Sequence, residues 1–277
     1  AVSASTQTVP PQAGYTATVS RVLDAKMVLL DGDLPRYLLK AGLAGVLITV
    51  LLLANYLVAG LFAASGMPGG AVVGKVLGAG VFGFALVFIY FLGAELATST
   101  MMVAGVGAAT RRLSPLRFWK LLGACMLGNV LGGLVIAILV RFSSIVSGST
   151  LDYLGHVVET KLSYVEGGWA GYADLFVRAI FCNLLINLAM AAVYNGKVHS
   201  GFGKALAMWA SVLVFIVMGF EHSVANAGLF LSYGFVAPID WTAALTALII
   251  AFLGNTVGGA LFIGVPFTYL DASAQGH

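Results

Sequence analysis

The sequence predicts an all-α, polytopic membrane protein: a six-span bundle of two inverted three-helix repeats, each with one interrupted helix. Three observations carry that reading. Hydrophobic residues make up 60% of the chain and charged residues 9%, with a mean hydropathy of +0.99, too little charge to cover a water-exposed surface. Apolar runs long enough to cross a hydrocarbon core of about 30 Å recur along the chain. Two separated motifs also repeat at one common offset.

The elements follow in order. A polar N-terminus, AVSASTQTVPPQAGY, reads as disordered, and residues 15–31 form a short mixed helix at the membrane surface. Residues 1–36 make up the N-terminal segment. The membrane domain spans 37–270, with repeat halves at about 37–140 and 172–270, and 271–277 form a tail. The first span covers about 37–64; a run starting near Tyr37 is too long for the hydrophobic part of a signal peptide. The second run, 71–109, is too long for one helix and is broken by GAELATST at 93–100. The third span covers 116–140. A polar stretch at 141–169 carries Asp152, Glu159, Lys161 and Glu166, and the fourth span covers 172–194. The fifth run, 203–233, is broken at GFEHSVAN, residues 219–226, and the sixth covers 241–270. Cys125 and Cys182 lie inside apolar runs and read as packing residues. The histidines at 156, 199, 222 and 277 show no ligand spacing, so neither a metal nor another cofactor is expected.

Six crossings put both termini on one side. Arg21, Lys26, Arg36, Lys40, Arg111, Arg112, Arg117, Lys120, Lys197 and Lys204 fall on that side; Lys75, Arg141 and Lys161 fall opposite, and Arg178 lies within the fourth span. The positive-inside rule places both termini in the cytoplasm, and the chain is expected in the cell's inner membrane. These basic residues are dispersed, which speaks against nucleic acid as a partner.

LGNVLGG begins at Leu127 and LGNTVGG at Leu253, and GAELATST begins at Gly93 and GFEHSVAN at Gly219. Both pairs are offset by 126 positions, so Gly93, Glu95, Asn129 and Gly132 correspond to Gly219, Glu221, Asn255 and Gly258. A shared offset argues for internal duplication. Three spans per half make the halves antiparallel, the inverted-repeat plan in which broken helices meet near the midplane. Half-helices starting near Thr98 and Ser223 would turn positive ends to a polar cavity suited to small anions.

An ionisable residue inside a membrane usually faces a pathway. His222 therefore reads as a solute contact, against the alternative of a histidine that only holds the break together. Glu95 and Glu221 read as structural parts, accepting hydrogen bonds from break N–H groups or asparagines, in preference to carboxylates on a cation path. Asn129 and Asn255 sit in glycine-rich helices where an amide bonds across packed backbones. Asn183 is a candidate lining residue, and Asn187 one turn later a helix-pairing one. Lys161 reads either as an anion attractor at a mouth or as a solvated lysine.

GAELATST, the two LGNxxGG motifs, CNLLINLA at 182–189 and above all GFEHSVAN resemble the formate/nitrite transporter family over about residues 20–270. The resemblance implies an aquaporin-like protomer with its own pore, in a homopentamer. It implies that His222 is the central pore histidine, with Thr98 and Asn183 as polar partners and Lys161 as a vestibule lysine. Phe82 and Phe215, with Ala225 beside them, would form an outer constriction; Leu86, Ala97 and Ile186 would line an inner one. Ala97 departs from the phenylalanine common in formate-type members.

The function expected is passage of small monovalent weak-acid anions, formate and nitrite first, with protons and the lipid bilayer as further partners and transient protonation at His222. Apolar constrictions fit that chemistry because a bare anion is costly to desolvate and its neutral acid is not. The alternative is a channel for water, ammonia or glycerol. An enzyme using Glu221 and His222 lacks any accompanying nucleophile, metal or cofactor motif.

Overall fold

The computed structural model describes residues 14–275 and is all-helical, with no strand among the described residues. The disorder expected of the N-terminus falls on residues 1–13, outside them. Helix α1 (Tyr15–Gly32) precedes α2 (Leu34–Ala64), α3 (Gly70–Phe82), α4 (Phe84–Leu92), α5 (Ala97–Ala109) and α6 (Pro115–Arg141). Then come α7 (Gly148–Glu166), α8 (Gly168–Tyr194), α9 (Gly201–Val217), α10 (Ser223–Gly234) and α11 (Trp241–Thr256). A π-helical turn, Val257–Gly264, joins α11 to α12 (Val265–Gln275), which runs past the tail boundary expected at 271.

Local chemistry sets several helix starts. Asp33 accepts the Arg36 N–H at the start of α2, Ser114 that of Arg117 at α6, and Ser200 that of Gly203 at α9. Proline in the first turn adds to two of these caps, at α2 and α6. Asp240 accepts from Thr242 and Ala243 at α11. The two motif glycines end α4 and α9 in the left-handed region, Gly93 at φ 65° and Gly219 at φ 68°.

Five helical stretches are long and apolar enough to span a membrane: Leu34–Ala64, Gly70–Leu92, Pro115–Arg141, Gly168–Tyr194 and Trp241–Asp271. The remaining crossing is assembled from α9 and α10, short of span length singly. The two halves are unequal here, since α3 and α4 together form a stretch of 23 residues whereas α9 has 17.

Two stretches differ from expectation. The polar segment 141–169 contains the 19-residue helix α7. Its buried Thr150, Leu154, Val158 and Leu162 recur every four residues, so its charges sit on one face of an amphipathic helix. Helix α1 likewise buries Tyr15, Val19, Leu23, Lys26 and Leu30. Arg112 pairs with Asp24 at 2.9 Å, and Arg117 and Lys120 both pair with Asp31. Basic residues that signal topology thus also fasten α1, at about 0–1 kcal/mol for each exposed pair.

The halves pack through backbone approach. A Cβ on Gly132 would lie 2.0 Å from the Gly42 oxygen, joining α6 to α2; a Cβ on Gly258 would lie 2.3 Å from the Ile180 oxygen, joining the π-helical turn to α8. Small residues permit such contacts where water supplies no hydrophobic drive between helices. Gly132→Ala and Gly258→Ala are each expected to destabilise the protein by about 1–3 kcal/mol through overpacking. Gly123→Ala, with no atom within 4 Å, should be neutral; denaturation in detergent compares the three.

Candidate functional site

The two helix breaks are held by the same device. At the first, Asn129 Oδ1 accepts the Ala97 N–H at 2.9 Å, while its Nδ2 donates to the Ala41 and Glu95 carbonyls at 2.8 Å each. At the second, Asn255 Oδ1 accepts the Ser223 N–H, and its Nδ2 donates to the Ala179 and Glu221 carbonyls, all at 2.8 Å. One buried amide therefore satisfies a donor and an acceptor of each break and ties both to a neighbouring helix. Interrupted helices in a membrane need such partners for their freed backbone groups.

With the break N–H groups on the asparagines, the glutamates are engaged otherwise than expected. Glu95 pairs with Lys26 from α1 and with Lys40 at 3.6 Å, and Lys26 also donates to Thr100 at 3.2 Å. Glu221 accepts from Lys161 of α7 and from Asn226, each at 2.7 Å. Only the Asn226 contact belongs to the kind expected. Lys161 is thus no free surface cation, its side chain being 13% exposed. Lys26 is its counterpart in the other half, read from sequence only as a topology residue. A signal was present: VLDAKM at 22–27 matches VVETKL at 157–162 in its two apolar residues, acid, lysine and apolar close. The pairing extends to Lys40 and Arg178, whose carbonyls accept the N–H groups of Glu95 and Glu221.

Between the breaks lies a cavity of about 10 Å³ walled by Ile48, Phe82, Ala85, Leu86, Leu96, Ile186, Val212, Phe215 and His222. His222 is its one polar wall residue. Phe82 and Phe215 meet edge to face at 6.2 Å, and the His222 ring stacks on Phe215 at 5.8 Å. Residues expected at two constrictions thus wall one small chamber. Leu96, not Ala97, stands on its wall; Ala97 is fully buried with its N–H on Asn129. Ala225 is also absent from the wall and gives its N–H to His222.

Thr98 and Asn183 are fully buried behind the chamber. Thr98 Oγ1 lies 3.1 Å from His222 Nε2. Asn183 donates to the carbonyls of Thr98 and Asn255, and Asn187 donates to that of Thr98 as well. The two asparagines hold the histidine's partner, and neither they nor Thr98 are among the residues that wall the chamber. The Ala225 N–H donates to His222 Nδ1 at 3.1 Å, capping α10. A nitrogen that accepts carries no proton, so the neutral ring bears its proton on Nε2 and donates it to Thr98.

Wider cavities flank the chamber. One of about 370 Å³ is lined by Lys26, Lys40, Glu95, Tyr90, Tyr194 and Ser99, and shares Leu86 and Leu96 with the chamber. The other, of about 470 Å³, is lined by Lys75, Lys161, Arg178, Glu221, Tyr164 and Phe220. Cations outnumber carboxylates among these residues in both. No cluster of three or more metal-ligating side chains occurs among the described residues.

A family model described as formate/nitrite transporter matches residues 16–269. The nitrite transporter NirC of Salmonella typhimurium is 32% identical over 203 residues, 72% of each chain. The formate channel FocA of Haemophilus influenzae is 30% identical over 230 residues, 75% of this chain and 78% of that one. Of solved structures, an FNT family ion channel aligns with a TM-score of 0.78 at 25% identity, over 92% of this chain and 99% of its own. A pentameric formate channel with formate bound aligns at 0.68 and 21%, over 86% and 97%.

Removing Lys26 alone leaves a buried carboxylate short of its closest partner. Lys26→Met is expected to destabilise the protein by about 3–5 kcal/mol, and adding Glu95→Gln to restore most of the loss. Denaturation of the single and double variants in detergent measures both.

Proposed function

The chain belongs to the formate/nitrite transporter family, and on that premise we propose that it passes small monovalent weak-acid anions, formate and nitrite foremost, across the cell's inner membrane. It is a transporter and not an enzyme. The observation that carries the substrate reading is the small, apolar chamber with His222 as its one polar wall residue, set between two cavities rich in cations.

The physical sequence follows from charge. Lysines concentrate anions in the vestibules. A bare anion entering the chamber loses its water and meets a single polar side chain, at a cost of several kcal/mol. The neutral acid avoids most of that cost, so a proton travels with the anion. Water in the vestibule supplies that proton in the end, and His222 serves first as a hydrogen-bond donor, its Nε2–H turning from Thr98 to the solute. Giving that proton away requires recapture, because Nδ1 is already engaged by the Ala225 N–H. The chamber, at about 10 Å³, barely reaches the roughly 10–15 Å³ that one water needs, so passage requires its Phe82–Phe215 and Leu86–Leu96 walls to part.

The same reading places both termini in the cytoplasm, on the strength of the lysine and arginine distribution, and the apolar helix faces in contact with lipid. It assembles the chain as a homopentamer, as the similarly folded formate channel does. A chamber this apolar also favours an uncharged solute, which makes a neutral-solute channel the second reading.

Uptake into liposomes at two external pH values separates them. Formate and nitrite uptake should exceed that of glycerol and rise with falling pH by up to about tenfold per unit, following the neutral fraction. Glycerol passage equal to formate, with no pH dependence, would favour the neutral-solute channel. His222→Asn should lower formate uptake by roughly tenfold or more, the loss of a hydrogen bond of about 1.5–3 kcal/mol to a charged group; undiminished proton-coupled uptake would remove the histidine from the mechanism.

A further inference from the structure

We propose that Ser99 is a solute-binding residue on the inner side of the chamber, a hydroxyl seat for a carboxylate or nitrite oxygen that the equivalent position of the other half, Ala225, does not offer. The proposal rests on the anion-transport reading and adds a direction to it.

Ser99 follows Leu96 by one helical turn on α5, and both line the inner vestibule. Leu96 and Leu86 also wall the chamber, so a solute leaving it inward passes those two leucines and comes next to Ser99. The Ser99 Oγ is shielded from water and has no hydrogen-bond partner. A helical serine commonly bonds back to the carbonyl four residues before it. Here that carbonyl, of Glu95, already accepts Asn129 Nδ2 at 2.8 Å and Cys125 Sγ at 3.5 Å. Of the unpartnered buried side-chain atoms among the described residues, this is the one whose residue lines the chamber or a vestibule. A buried hydroxyl left unsatisfied in a native fold calls for a reason, and a partner that arrives during transport supplies one. With no hydrogen bond to break, the hydroxyl can turn to a solute in the vestibule that Ser99 lines.

The repeat shows that this is not a scaffold feature. The position 126 residues on is Ala225, with no hydroxyl and with its N–H held by His222. A solute stripped of water by the leucines thus finds a donor on the inner side before it reaches Lys26 and Lys40.

The test is saturation of formate uptake in right-side-out and inverted membrane vesicles, with no pH or voltage gradient. Permeability at low concentration must then be equal from both faces in any one variant, so asymmetry appears in the half-saturating concentration. Ser99→Ala should raise that concentration about three- to tenfold from the inner face, the weight of one hydrogen bond in a wet site, and leave the outer value unchanged. Ser99→Thr, which keeps the hydroxyl, should retain the wild-type value. The thermal midpoint of Ser99→Ala should be unchanged or higher, since an unpartnered hydroxyl is removed; a lower midpoint would mark a structural role. An unchanged inner value, or an equal rise from both faces, overturns the proposal while the transport reading stands. Absence of formate and nitrite uptake by the wild-type protein overturns both.

Discussion

Everything at the centre of this protein depends on two asparagine side chains. A membrane helix can be interrupted only if the backbone groups it frees find partners away from lipid. Asn129 and Asn255 supply them in the same way, each accepting the first N–H of a half-helix and donating to the carbonyl two residues before it. Each amide also reaches across to a neighbouring helix, at Ala41 and Ala179. With the breaks fixed, Leu96 and His222 occupy matching positions on the chamber wall, one apolar and one polar. The site is therefore a symmetric frame carrying an asymmetric content.

The ion pairs complete that frame. Lys26–Glu95 and Lys161–Glu221 join each amphipathic helix, α1 and α7, to the break opposite it. Replacing a buried pair by apolar residues often costs little, whereas breaking one is expensive. Here the pairs also keep charge at the two mouths. Because a glutamate offsets one cation in each vestibule and Asp174 pairs with Arg178 at 2.8 Å, the surplus positive charge rests on Lys40 in one vestibule and Lys75 in the other.

Much of this was legible in the sequence. The spans followed from hydropathy, and the breaks followed from Gly93 and Gly219 with their neighbouring glutamates. The duplication was visible only where its offset is constant. Glu95, Ala97 and Asn129 match their counterparts at 126 positions, but Ala41 and Ala179 lie 138 apart and Lys26 and Lys161 lie 135 apart. The longer α2 and the longer α3–α4 stretch shift the register, which hid α1 and α7 as equivalents and Lys26 with them. Side-chain direction was the other illegible quantity. Ala97, Thr98, Asn183 and Ala225 lie beside the chamber in sequence and space, yet whether each faces it depends on a helix rotation that a single position does not reveal.

The histidine's proton is where geometry and transport meet, and nitrogen-15 solid-state NMR of histidine-labelled protein in bilayers observes it directly. The hydrogen bonds from Ala225 and to Thr98 require the neutral ring of His222 to carry its proton on Nε2. A spectrum at neutral pH showing the Nε2–H tautomer, displaced in a Thr98→Val variant, agrees with a ring held ready to donate to the solute. A proton found on Nδ1 would contradict it, since that ring could neither cap α10 nor offer Nε2 as a donor.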